Sequence, residues 1–303
     1  MTLDLHAAAA DYLAARRARG YRLADHEWLI RSFLDDLERR DVTTITVADA
    51  VAFARWRPET NQRWHAQRLH VIGDLARYVH ALDPAAAELV PAGLIRARVT
   101  RRHPYLYSNE QIEALLAAAS ALSPPPLAAT MSTLIGLLAV SGMRVGEVVA
   151  LDVGALDTDR QVLAVTGKYG RRRLVPLHPS AVEVLMSYLG GRPDGPLFVG
   201  VRGARLNANT ARAVFGALVQ ECGLQARPGC GTPRLHDFRH SFAVHSLTEA
   251  QRSGSDVDAR VAVLADYLGH VDPACTYWYL EASPQLMAAV SERVAASFRR
   301  GHQ

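Results

Sequence analysis

The sequence predicts a mainly α protein of two domains, with one small β-sheet in the second. Three observations carry this. Residues 1 to about 92 place apolar side chains at helical spacing and show no strand pattern. Residues 96–105 form a basic, proline-containing run without apolar periodicity, which reads as a linker. Two short β-rich runs, 160–166 and 171–177, flank a Gly-Lys-Tyr-Gly bend. At 303 residues the chain is long for one domain and comfortable for two. The expected division is 1–95, a linker at 96–105, and 106–303.

In the first domain, helices are expected near 5–18, 24–40, 47–57 and 61–82, the last with Trp64, Ile72, Leu75 and Val79 on its apolar stripe. Gly20 and Thr43-Thr44 mark the breaks, so about four helices pack on one another. Their exposed faces are rich in arginine: Arg16, Arg17, Arg19 and Arg22, then Arg55, Arg57, Arg63 and Arg68. The linker adds Arg96, Arg98, Arg101 and Arg102, a density suited to a phosphate backbone.

The second domain opens on Ser108-Asn-Glu-Gln111, a capping box ahead of an apolar helix. Further helices are expected near 127–140, around Gly142-Met-Arg144-Val-Gly-Glu147, from about Pro179 and from about Asn207. The stretches Arg192 to Pro196 and Arg227 to Pro233 read as loops. Residues 284–300 carry Leu286, Val290, Val294 and Phe298 at intervals of four, a narrow apolar stripe that docks on its own domain or on a neighbouring copy.

Composition narrows the function. Nearly half the residues are apolar, and the formal charge of +4 permits a polyanionic partner. Cys222, Cys230 and Cys275 form neither a metal pair nor an even disulfide framework, which fits a reducing compartment. No basic-then-apolar leader is visible at the N-terminus, and the most apolar stretch, 127–143, is shorter than a membrane span. A soluble, cytoplasmic, nucleoid-associated protein without membrane contact is expected.

Of the 34 basic residues only Lys168 is a lysine, and it lies in the hairpin bend. An ammonium can release a proton at accessible pH whereas a guanidinium effectively cannot, so Lys168 is a candidate general acid. Downstream, Leu235-His236-Asp237-Phe238-Arg239-His240 sets His236 and Arg239 three apart on one helix face. A bare His-x-x-Arg is expected about once by chance in such a composition, and His65-Ala-Gln-Arg68 is a second, accidental match. Tyr267-Leu-Gly-His270 follows, with Tyr279 nine residues later.

The ordered set Arg144, Lys168, His236, Arg239, His270 and Tyr279 resembles the tyrosine recombinases, the phage integrase family. The family's Thr-Gly-Leu-Arg-x-x-Glu appears as Ser141-Gly-Met-Arg144-Val-Gly-Glu147, its hairpin lysine precedes a Val-Pro-Leu that here is Val175-Pro-Leu177, and its His-Asp-Leu-Arg-His is His236-Asp-Phe-Arg-His240. The motifs span about 105–285. The resemblance implies a helical core-site DNA-binding domain joined to an α+β catalytic domain. It also implies double-stranded DNA with short inverted-repeat core sites as substrate, a homotetramer on DNA, possible pairing with related recombinases, and a C-terminal helix exchanged between protomers.

The chemistry is coherent on its own terms. Tyr279 offers a hydroxyl able to hold a covalent phosphoryl group, Arg144 and Arg239 offer planar donors to non-bridging oxygens, and Lys168 protonates the leaving 5′ oxygen. His236 takes the tyrosine proton, His270 donates to or orients the phosphate, and Glu147 buttresses an arginine or histidine. Arg171 and Arg172, beside the bend, are further DNA-contact candidates, with Arg63, Arg68, Arg96, Arg98, Arg101 and Arg102. Because the phosphotyrosine conserves the bond energy, neither ATP, metal nor other cofactor is expected.

Two departures are visible. Tyr277 stands two residues before Tyr279, and on a helix the two would point about 200° apart, so only one can face the phosphate. Cys275 sits beside them, where Ser or Thr is common in the family. A type IB topoisomerase and a silent DNA-binding protein are the alternative readings.

Overall fold

The computed structural model of the protein describes residues 3–21, 23–97, 103–167 and 170–269. The chain divides into two compact units, Met1–Arg101 and Arg102–Gln303.

The first unit is built from α1 (Leu5–Ala18), α2 (Ala24–Arg39), α3 (Val47–Ala54) and α4 (Gln62–Leu82). Local chemistry sets their starts. Asp4 accepts from the amides of His6 and Ala7, Thr46 from Asp49, and Asn61 from Trp64, which satisfies amides that the first turn leaves without partners. The core gathers Phe33, Leu37, Ile45, Ala50, Ile72, Leu75 and Val79.

On α4 the buried face runs through His65, Arg68, Leu69, Ile72, Leu75, Ala76 and Val79. This corrects two expectations. Trp64 is exposed, because the helical stripe passes through position 65 instead. Arg68 is buried, one turn before Ile72 on the same face, and its Nη1 has no hydrogen-bond partner among the described residues. Arg63 and Arg96 are exposed as expected. His65 Nε2 lies 2.9 Å from the Arg57 carbonyl oxygen and 2.8 Å from Thr60 Oγ1, a structural role that agrees with reading His65-x-x-Arg68 as accidental.

The second unit begins with α5 (Asn109–Ser120), capped by Ser108 and Gln111 in both halves of the predicted box. It continues through α6 (Pro125–Ser141), the short α7 (Val145–Val149), β1 (Leu156–Asp157), β2 (Val162–Thr166) and β3 (Arg172–Pro176). Then come α8 (Pro179–Leu189), α9 (Ala208–Glu221), α10 (Asp237–Arg252) and α11 (Val257–Leu268). The strands form an antiparallel sheet in the order β1-β2-β3, with Leu163 opposite Val175 and Val165 opposite Arg173. The two-residue β1 is too short to show an alternation in sequence.

Leu134, Leu138, Val148, Leu163, Val175, Phe198, Leu218 and Phe238 fill the core of this unit. Each such side chain stabilises the fold by about 1.5–3 kcal/mol relative to exposure. Among the described residues, no helix is long and apolar enough to cross a membrane.

Candidate functional site

Arg144 stands at a helix start rather than within the helix expected from the sequence. Gly142 ends α6 in the left-handed region at φ 58°, which stops the right-handed helix, and Arg144 is the extended residue that opens α7. Glu147, one turn on, is buried. Its Oε2 accepts from the Arg144 backbone N–H at 3.1 Å and its Oε1 accepts from Arg144 Nη1 at 2.8 Å.

A second arginine, which the sequence reading did not single out, shares this carboxylate. Arg173 on β3 donates through Nη1 to Glu147 Oε1 at 3.1 Å and through Nη2 to Oε2 at 2.8 Å. Its Nε donates to the Tyr267 carbonyl oxygen at 2.9 Å. Strand alternation sets Arg173 apart from Arg172: Arg173 and the buried Val175 point to the same face of β3, whereas Arg172 is exposed, as is Arg171 just before the strand. Three consecutive arginines look alike in composition; Arg172 is out of phase with Val175, and Arg171 lies before the strand begins.

Burial alone would raise the Glu147 pKa. The Arg173 hydrogen bonds, the Arg144 N–H and the two positive charges overturn that and hold it at about 2. Glu147 is therefore an anion at any working pH.

Arg239, on the first turn of α10, is one of the most completely buried side chains of the unit. Nη1 donates to the Gly142 carbonyl oxygen at 3.1 Å and Nη2 to that of Leu268 at 2.7 Å. Arg173 and Arg239 thus hold successive carbonyls, Tyr267 and Leu268, at the C-terminal end of α11, where the helix dipole favours cations. His236 precedes α10 with helical dihedrals, so it keeps the expected three-residue relation to Arg239. Packing around its ring, then the charges of Arg239, Arg234, Arg144 and Arg212, lower its pKa to about 4. The residue retains an exposed surface, so the crowd of cations is the firmer of these causes. At neutral pH the imidazole is uncharged and able to accept a proton.

The start of α10 is pinned separately. Arg234 donates to buried Asp237 through Nη2 at 2.9 Å, and the Tyr107 hydroxyl donates to the Arg234 carbonyl oxygen at 3.0 Å. Tyr107 stacks on Phe238, with ring centroids 4.4 Å apart.

The hairpin closes through the Gly167 N–H, which donates to the Arg171 carbonyl oxygen at 2.8 Å. Lys168 itself lies outside the described residues, as do His270, Tyr277, Tyr279 and Cys275, the linker residues Arg98, Arg101 and Arg102, and the segment 284–300. Of the predicted set, the described structure brings together Arg144, Glu147, His236 and Arg239. Arg63, Arg68 and Arg96 belong to the other unit.

A buried carboxylate flanked by two arginines, a third buried arginine and a neutral histidine make a cationic centre able to hold a phosphate diester. A mainly α scaffold with such a centre has the fixed donors that phosphoryl transfer at a diester requires. Comparison with known proteins makes the assignment specific. Residues 106–285 match the phage integrase family. The y4rB protein of Sinorhizobium fredii, which carries an integrase/recombinase name, is 37% identical over 95% of this chain and 96% of its own length. Tyrosine recombinase XerD of Mycobacterium tuberculosis is 30% identical over 85% of this chain and 78% of its own. Among solved structures, the integrase of transposon Tn1549 in complex with a circular intermediate DNA shares the fold, with a TM-score of 0.63 and 16% identity over 94% of this chain and 99% of that one. The chain belongs to the phage integrase family, and is a site-specific tyrosine recombinase, a DNA strand-transferring enzyme.

Proposed function

We propose that Tyr279 is the nucleophile of this recombinase and that Arg144, Lys168, His236, Arg239 and His270 complete its site. The Tyr279 oxygen attacks the phosphorus, and the bond from phosphorus to the 5′ oxygen breaks. The phosphate stays on the 3′ end as a phosphotyrosine. The tyrosine proton passes to His236 and the 5′ oxygen takes a proton from Lys168. In the second half a 5′ hydroxyl of the partner strand attacks, the tyrosine leaves, and both protons return. Arg144 and Arg239 face the non-bridging oxygens, and His270 orients them. The P–O bond to tyrosine replaces each P–O5′ bond that is cut and conserves its energy, so the reaction needs no external energy source.

The observation that carries this reading is the convergence of Arg144, buried Arg239 and an uncharged His236 in one cationic centre. A developing dianionic phosphorane is stabilised by such fixed donors more than the ground-state diester is.

The protein acts on double-stranded DNA in the cytoplasm, at the nucleoid, on short inverted-repeat core sites. It assembles there as a homotetramer, or together with related recombinases. The XerD and transposon-integrase relatives support the DNA substrate, and the y4rB and Tn1549 likenesses favour integration or transposition of a mobile element. Exposed Arg63 and Arg96 in the first unit, linker residues Arg98, Arg101 and Arg102, and Arg171 and Arg172 on the hairpin supply backbone contacts. Buried Arg68 is removed from that set.

The test is covalent trapping. Nicked DNA fragments tiled across the flanks of the gene are incubated with protein, denatured in detergent and scored for protein-linked DNA. An adduct lost with Tyr279→Phe and kept with Tyr277→Phe is expected; the reverse pattern moves the nucleophile to Tyr277. Relaxation of any supercoiled plasmid would indicate a topoisomerase instead, and tight binding without adduct a silent DNA-binding protein.

A further inference from the structure

We infer that Arg173 is a positioning residue that keeps the group around Arg144 net positive toward the phosphate and ties the hairpin, α7 and the end of α11 into one unit. This rests on the function proposed above. The Arg173 side chain is 14% exposed, and each of its three nitrogens is engaged. Two parallel bonds run to Glu147 on α7, and the third to the Tyr267 carbonyl oxygen on α11. Gly269 packs against the same guanidinium: a Cβ there would lie 3.3 Å from Arg173 Nη1.

Charge counting gives the consequence. Among the described residues, the Arg144 guanidinium pairs with Glu147. With Arg173 present, two guanidiniums share one carboxylate, and the trio carries a net positive charge. Without Arg173, Arg144 and Glu147 form a neutral pair, and the carboxylate draws Arg144 away from an incoming anion. A lysine would restore the charge but not the fork, because one ammonium cannot meet both carboxylate oxygens in plane and the Tyr267 carbonyl as well.

The separating measurement compares two substrates. The fragment identified by covalent trapping is prepared with its ordinary phosphodiester and with a neutral methylphosphonate at the cleaved position. Rates of adduct formation are then taken relative to wild type on the same substrate. Arg173→Met is expected to slow the charged substrate about 100-fold, the usual scale for losing one transition-state donor, and the neutral one less than about tenfold. DNA affinity stays within about twofold, since only the transition-state interaction is weakened. Arg173→Lys recovers part of the loss and keeps the contrast between substrates. It decides the matter if Arg173→Met fails to fold.

Equal slowing on both substrates would reduce Arg173 to scaffolding and overturn the inference, as would wild-type rates in Arg173→Met. If wild type forms no adduct on either substrate, the proposed function itself falls, and this inference with it.

Discussion

Phe242 packs against Gly142 so closely that a Cβ at Gly142 would lie 2.6 Å from Phe242 Cδ1 and 2.9 Å from its Cγ. Gly142 also holds a φ of 58°, a region in which other residues are strained. The same glycine presents its carbonyl to Arg239 and ends the helix before Arg144. Backbone, core packing and the two site arginines therefore meet at one position, and two predictable costs attach to it.

Gly142→Ala is expected to destabilise the second unit by about 2–4 kcal/mol, the strain and the overpacking adding together. A lowered melting temperature, with cleavage falling alongside it, is the expected reading. An unchanged melting temperature would mean that Phe242 can move aside at little cost.

Glu147 gives a pH signature. Its pKa is held near 2, below the ordinary 4.5. The stabilisation is therefore complete above about pH 4.5 and is lost as pH falls through about 2. The shift corresponds to something on the order of 3 kcal/mol. Glu147→Gln should be less stable than wild type at pH 6, and the gap should narrow steadily in denaturant titrations taken down toward pH 2. A gap that does not change with pH would contradict the ion-pair account.

Arg63 and Arg68, one turn and a half apart on α4, should behave oppositely. Exposed Arg63 faces solvent, so Arg63→Ala is expected to weaken DNA binding at every sequence and to reduce the salt slope by about one. Arg68 is buried and its Nη1 has no partner among the described residues, so Arg68→Met should leave that slope unchanged and stabilise the first unit by about 1 kcal/mol. Binding titrations across salt concentrations, with thermal unfolding alongside, read both. A slope lowered by Arg68→Met would return that residue to the DNA face.

Local signals carried much of the architecture. The helices expected at 5–18 and 61–82 are Leu5–Ala18 and Gln62–Leu82, the Ser108-Gln111 box caps α5, and the Gly-flanked β runs form the β2–β3 hairpin. These features arise from interactions within a few residues: caps, apolar periodicity and glycine turns. Motif order was equally legible, because the residues around Arg144 and His236 are neighbours in the chain and their spacing survives folding.

Other features depend on contacts between distant segments. That Arg68 turns inward while Arg63 does not depends on what packs against α4. That the Gly142 position has no room for a side chain depends on Phe242, 100 residues later, packing against it. Arg173 is the clearest case. Its importance comes from a carboxylate 26 residues earlier and a carbonyl 94 residues later, and neither distance is written in the local pattern. The sequence by itself determined the elements, the order of the motifs and the chemistry they can support. Tertiary structure decided which of the many arginines share one buried charge, because desolvation and pairing act only where the folded chain brings groups together.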